Sequence, residues 1–184
     1  MILRLVVVIT LPAAEVIAMR ALHLLLCLVP LMPHLALCYP DYVPQSACDW
    51  LAPWHEPYTD PAEGPAPYKL RIYHSQAPAG IPVPVSVVGS QPFLGFMVQA
   101  HDAGSGQAVG SWQVTPHIPA TTMTCSNPDN TVTHNSRVSK QLVPLAWLPP
   151  KGYNGTVFFK GTVVATYTTY WTDIASAPFR VVSV

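Results

Sequence analysis

The 184-residue chain balances nine Lys or Arg against nine Asp or Glu; 50% of its residues are hydrophobic and 10% charged. Its mean hydropathy of +0.30 owes much to the first 38 residues, and residues 39–184 alone hold seven Lys or Arg against eight Asp or Glu. This near neutrality argues against nucleic acid or an anionic membrane as partner, since both select clustered positive charge, and the length suits one domain with a real core.

The first predicted element is a leader. From Met19 to Cys38 the chain has a short basic start at Arg20, an apolar middle and small residues at Ala36 and Cys38, the layout of a secretory signal peptide cleaved just before Tyr39. Residues 1–18 form a second apolar run broken by Pro12 and Glu15 and read as an upstream extension, with Met19 the working start. The rival is a membrane anchor, since both runs together exceed the roughly 20 residues that span a bilayer. Glu15, Arg20 and His23 interrupt that span. Residues 39–184 are then a single extracellular domain. Cys27 and Cys38 fall in the leader, which leaves Cys48 and Cys125 as an even pair in an oxidising compartment. One disulfide is the simplest expectation, ahead of two buried thiols or a zinc site, because neither cysteine has a second Cys or His at ligand spacing.

Residues 39–67 hold seven prolines, too closely spaced for a helix, and read as an extended arm tied down at Cys48 with Trp50 and Trp54 packed on the domain. Tyr68 to His74 alternates with period two and predicts a first strand. Val83, Val85 and Val87 predict a second, placed at a sheet edge by Pro84. Phe93 to His101 is apolar on both faces and reads as a central strand. Asp102 to Gln107 reads as a flexible hairpin loop leading to Val109–Thr115. Further strands are expected at Thr121–Cys125, Thr131–Asn135, Val138–Trp147 and Phe179–Val184, with a turn at Asn127–Asn130 and one long strand from Thr156 to Trp171. Seven to nine short strands without an amphipathic helix describe an all-β antiparallel sandwich.

Candidate chemistry is sparse. Asn154-Gly155-Thr156 is a clean N-glycosylation sequon on a turn, so Asn154 is expected to carry a glycan if the transferase reaches it, and otherwise to serve as a tight-turn residue. His55, His74, His101, His117 and His134 form no metal-ligand spacing, and no metal is expected. Gly110-Ser111-Trp112 lacks the second glycine of a nucleophile elbow, and the few carboxylates are too scattered for glycoside cleavage. Trp112, Trp147, Tyr167, Tyr170 and Trp171 could line a binding surface, although core filling is the stronger explanation.

Taken in order, Tyr39-Pro40-Asp41, Cys48 with Pro53 and His55, Pro67-Tyr68, the strand Gly95 to Ala100, Val109-Gly110, Cys125, Thr133-His134, Trp147 and Gly155 to Phe159 leading to Tyr170-Trp171 resemble the reeler domain. That module opens reelin- and spondin-type matrix proteins, heads ferric-chelate-reductase-like membrane proteins and occurs alone in small secreted defence proteins. The resemblance spans the whole segment after the leader. It implies an immunoglobulin-like antiparallel sandwich with its disulfide at Cys48 and Cys125, and it carries no catalytic residues. The many prolines between Pro53 and Pro67 depart from the family pattern and leave the arm's conformation open.

The expected function is a secreted, non-enzymatic protein of innate defence that binds microbial surfaces, with microbial or matrix glycans or extracellular proteins as partners and no cofactor. After signal cleavage no membrane association is expected, and no nucleic acid. The alternative is a matrix adhesion module, or a truncated form of a larger spondin-like or ferric-chelate-reductase-like protein. An enzyme would need a haem or flavin site, for which no axial-ligand arrangement or dinucleotide fingerprint is present.

Overall fold

The structure, a computed structural model, describes residues 43–53 and 59–183. The expected leader, the Met19 start, Trp54 and His55 lie outside them. A short 3₁₀ helix, Gln45–Cys48, precedes eleven strands: β1 Tyr68–Ile72, β2 Gln76–Pro78, β3 Val83–Phe93, β4 Gly95–Asp102, β5 Ser111–Gln113, β6 Ala120–Met123, β7 Thr131–His134, β8 Lys140–Leu148, β9 Gly155–Thr166, β10 Thr169–Ala175 and β11 Phe179–Val182. They form a four-stranded sheet in the order β1-β3-β8-β5 and a seven-stranded sheet in the order β2-β11-β9-β4-β7-β6, with β10 also on β9. Every pairing is antiparallel except the short parallel match of β2 with β11. The expected all-β sandwich is thus the observed fold.

Alternation buries one face of each sheet. Val85 and Val87 of β3, Val143 and Trp147 of β8, and Val157 and Phe159 of β9 are all at or below 1% exposure. Between the sheets, Trp147 meets Phe159 edge-on at 5.4 Å and Tyr68 meets Trp171 of β10 at 5.4 Å, separations typical of favourable aromatic pairs.

Three expectations are corrected and one, the hairpin loop, holds only locally. Pro84 does not mark an edge strand, because β3 lies between β1 and β8. Pairing with β1 stops at Ile72 opposite Val85, so Pro84 has a strand neighbour on one side only and its missing N–H breaks no ladder. The run from Thr156 to Trp171 is two strands, since Thr166 pairs with Thr169 around a turn at Tyr167-Thr168. The loop after β4 does turn back as a hairpin, with His101 bridged antiparallel to Ala108 and the Val109 N–H donating to the Ala100 carbonyl at 2.8 Å, but the chain then leaves β4 for β5 in the four-stranded sheet. Trp50 is 72% exposed, and Leu51 and Ala47 pack instead.

The arm lies against the seven-stranded sheet, where Ala47 and Leu51 cluster with Met97 of β4 and, partly buried, Met123 of β6. The Cys48–Cys125 disulfide closes over it, with Cα atoms 5.4 Å apart across 77 residues. A second tie joins the two layers. The ammonium of Lys140 donates to the carbonyls of Leu94, Ser136 and Val138 at 2.6–2.7 Å, holding both the corner between β3 and β4 and the loop before β8. Burial pushes its pKa below the ordinary lysine value. Lys140→Met removes three charge-assisted bonds and returns only part of the ammonium's desolvation cost, so a loss of about 2–3 kcal/mol is expected in urea denaturation. Lys140→Arg should not restore it, because a planar fork cannot occupy a cage built for a point charge.

Candidate binding surface

The outward positions of the four-stranded sheet follow from the same alternation. Register places Lys69 beside Val88 and Val88 beside Leu142, and in the next outward row Arg71 beside Ser86 and Ser86 beside Pro144. None of the four strands contains Asp or Glu. Among the described residues neither Lys69 nor Arg71 has a carboxylate partner, and both are exposed. Two positions apart on one strand, their Cα atoms lie about 7 Å from each other. Tyr73 is 50% exposed, and its hydroxyl is 3.0 Å from Ser86 Oγ. The near-neutral chain therefore has a locally cationic face with an apolar centre. Cations on the edge strand β1 also discourage pairing with another copy.

At one end of the sandwich an open groove of about 430 Å³ runs between Gly80, Val109–Ser111, Asn127 and the segment Leu148–Lys151. Its floor is fixed by Trp147, whose Nε1 donates to the Val109 carbonyl at 3.0 Å. Gly110 has φ +73°, and a Cβ there would lie 2.5 Å from Trp147 Nε1 and 2.6 Å from the Leu148 oxygen. Only glycine fits. The lining is mostly Gly, Ala, Val, Leu and Pro, with Ser111, Asn127 and Lys151 as polar groups, and it suits contact rather than proton transfer.

The loop after β4 is tied down rather than free. Asp102 Oδ1 accepts from the backbone N–H of Gly104 at 3.1 Å and Ser105 at 2.7 Å and from Ser105 Oγ at 2.9 Å, while the Tyr153 hydroxyl donates to Oδ2. The Tyr153 bond first, then those from Ser105, lower the Asp102 pKa from 3.8 to about 2. A carboxylate with a depressed folded pKa contributes stability that is complete above its unfolded value and lost as pH falls through the folded one. The loop is therefore expected to hold above about pH 4 and to release as pH falls toward 2. Hydrogen exchange of the Gly104 and Ser105 amides against pH checks this; protection unchanged down to pH 2 would contradict it.

The remaining expected residues are dispersed. His74 and His117 are exposed. His101 stacks on Phe158 at 5.6 Å, and His134 Nδ1 lies 3.3 Å from the Phe96 backbone N. Among the described residues no three His, Cys, Asp or Glu are grouped to hold a metal, and no helix is long and apolar enough to cross a membrane. Trp112, Trp147 and Tyr170 are buried and Tyr167 is 44% exposed, so most of that aromatic set fills the core. Asn154 is exposed on the turn before β9, with Oδ1 accepting from Arg180 Nη2 at 2.9 Å. Sequence reasoning missed the Lys140 cage, the Asp102–Tyr153 bond and the cationic face; the alternation of Lys69 and Arg71, with no acid in the predicted strands, was the available signal for the last.

The reeler domain family model matches residues 46–184. An Antheraea mylitta protein named as a candidate defense protein is 35% identical over 148 residues, covering 79% of this chain and 88% of its own length. A Drosophila melanogaster defense protein is 34% identical over 139 residues, covering 72% and 82%. A candidate ferric-chelate reductase of Xenopus laevis is 33% identical over 141 residues, which are 74% of this chain but 23% of that protein. Among solved structures, the human F-spondin reeler domain superposes with a TM-score of 0.55 at 17% identity, covering 66% of this chain and 93% of that one.

Proposed function

The chain belongs to the reeler domain family, and on that premise we propose that it is a secreted, non-enzymatic binding protein of extracellular defence that attaches to microbial surface glycans. One observation carries this reading: relatives named for defence align over 88% and 82% of their own lengths, so what they do resides in a unit of this size. The cationic outer face of the four-stranded sheet supports it. Lys69 and Arg71 repel one another when free, and an anionic glycan laid across β1 relieves that repulsion while Val88, Leu142 and Pro144 offer apolar contact.

The test is binding of the purified, processed protein to bacterial surface polysaccharides, glycosaminoglycans and matrix proteins in parallel, at more than one salt concentration. Saturable binding to microbial glycans is expected, weakening with salt and by about tenfold in the double variant Lys69→Gln, Arg71→Gln, as two exposed charge contacts of under 1 kcal/mol each would give. Binding only to matrix components, or to none of these, favours a second reading as an adhesive module or a piece of a larger protein. The Xenopus laevis match favours that alternative, since there the shared region is 23% of a longer chain.

A further inference from the structure

We propose that Asn154 is N-glycosylated, an inference that rests on the chain entering the secretory pathway as the proposed function requires. The sequon Asn154-Gly155-Thr156 begins where β9 begins. Asn154 is exposed, and its Oδ1 is held by Arg180 Nη2 at 2.9 Å. That contact uses the amide oxygen, which a glycosylated asparagine keeps, and leaves Nδ2, the atom that takes the sugar, without a partner among the described residues. The preceding side chain is committed elsewhere: Tyr153 donates to Asp102, and its hydroxyl oxygen would be the first atom met by a Cβ on Gly155.

Chain order favours modification as well. In the folded protein Thr156 is paired with Arg180 of β11, a position that hides the sequon's backbone from an enzyme needing it free. Strand β11 is the last in sequence, so the sequon emerges during synthesis before the strand that will pair with it. In the reaction Nδ2 attacks the anomeric carbon of an oligosaccharide carried on a polyprenyl diphosphate. The new N–C bond replaces the C–O bond, the diphosphate leaves, and Nδ2 releases one of its two protons to solvent.

The test uses the full chain expressed in eukaryotic secretory cells. Medium and cell fractions are treated with peptide N-glycosidase in heavy-oxygen water, and the peptide containing position 154 is examined by mass spectrometry. Isotope-labelled conversion of Asn154 to aspartate is expected. The accompanying gel shift should disappear in Asn154→Gln and Thr156→Ala and persist in Thr156→Ser, which keeps a sequon hydroxyl. Secreted protein with an unmodified Asn154 peptide overturns the proposal and leaves the secretion reading intact. Glycosylated protein confined to the cells supports the proposal and overturns secretion; unmodified protein confined to the cells overturns both.

Discussion

Replacing Cys48 and Cys125 together by alanine is expected to destabilise the domain by about 4 kcal/mol, a fall in Tm of about 10–15 °C. The two cysteines are 77 residues apart, and cross-linking them removes the closure entropy of that loop from the unfolded chain, a term that grows only with the logarithm of loop length. Both anchor points are independently set. Cys48 ends the 3₁₀ helix, where Gln45 Nε2 donates to the Thr124 carbonyl at 2.6 Å. The Cys125 N–H donates at 3.0 Å to Oδ1 of Asn130, a fully buried side chain. The bond therefore joins two arranged segments instead of distorting them. What it holds is weak alone, since Ala47, Leu51 and Met97 are the fully covered members of a small cluster apart from the main core. The double variant should thus lose the arm first. Limited proteolysis near residues 43–53, with hydrogen exchange of β4 and β9 still protected, is the expected pattern. A Tm within 2–3 °C of the parent would mean that the arm's contacts, and not the cross-link, hold it.

The sheets were legible in the sequence wherever one face is buried and the other wet, because alternation then writes the strand directly into the residues. Tyr68 to Ile72 and the Val83, Val85, Val87 series are of this kind, and the pairing of Cys48 with Cys125 needed only the compartment and an even count. The turn at Tyr167-Thr168 was hidden because it uses neither Gly, Pro, Asn nor Asp, so Thr156–Trp171 read as one strand. Pro84 misled through a rule about whole strands that applies to single positions: β3 is interior, but β1 ends one residue short of Pro84. Other features depend on distant residues meeting. Lys140 finds Leu94 at a separation of 46 residues, and Asp102 finds Tyr153 at 51; no local pattern marks either pair. The cationic face was half legible. Lys69 and Arg71 could be assigned to one side of a strand, yet their isolation from the carboxylates of the described residues depended on knowing which four strands share the sheet.

Trp147→Ala is expected to cost about 4 kcal/mol, because this one side chain joins the two layers and the groove. Its exposure is 0%. Within the four-stranded sheet it pairs with Val83 of β3 on one side and Trp112 of β5 on the other. Across the layers its ring packs on Phe159 of β9, which also contacts the Trp112 ring at 5.6 Å. Truncation opens a cavity bounded by a rigid strand on either side, where collapse is limited and the penalty falls at the high end for large-to-small changes. It also removes the Nε1 bond to the Val109 carbonyl, which fixes the groove floor. Trp147→Phe separates the two contributions. It keeps most of the buried ring area and loses the hydrogen bond, so a smaller loss of about 1–2 kcal/mol is expected. Urea denaturation should show the midpoint falling in that order with the slope unchanged. A slope that falls in Trp147→Ala would instead mean that the layers separate before the chain unfolds. If the glycan-binding face is the outer side of β1, β3 and β8, Trp147→Phe should leave glycan affinity unchanged, since its ring points to the opposite face; a loss of binding would transfer the function to the groove.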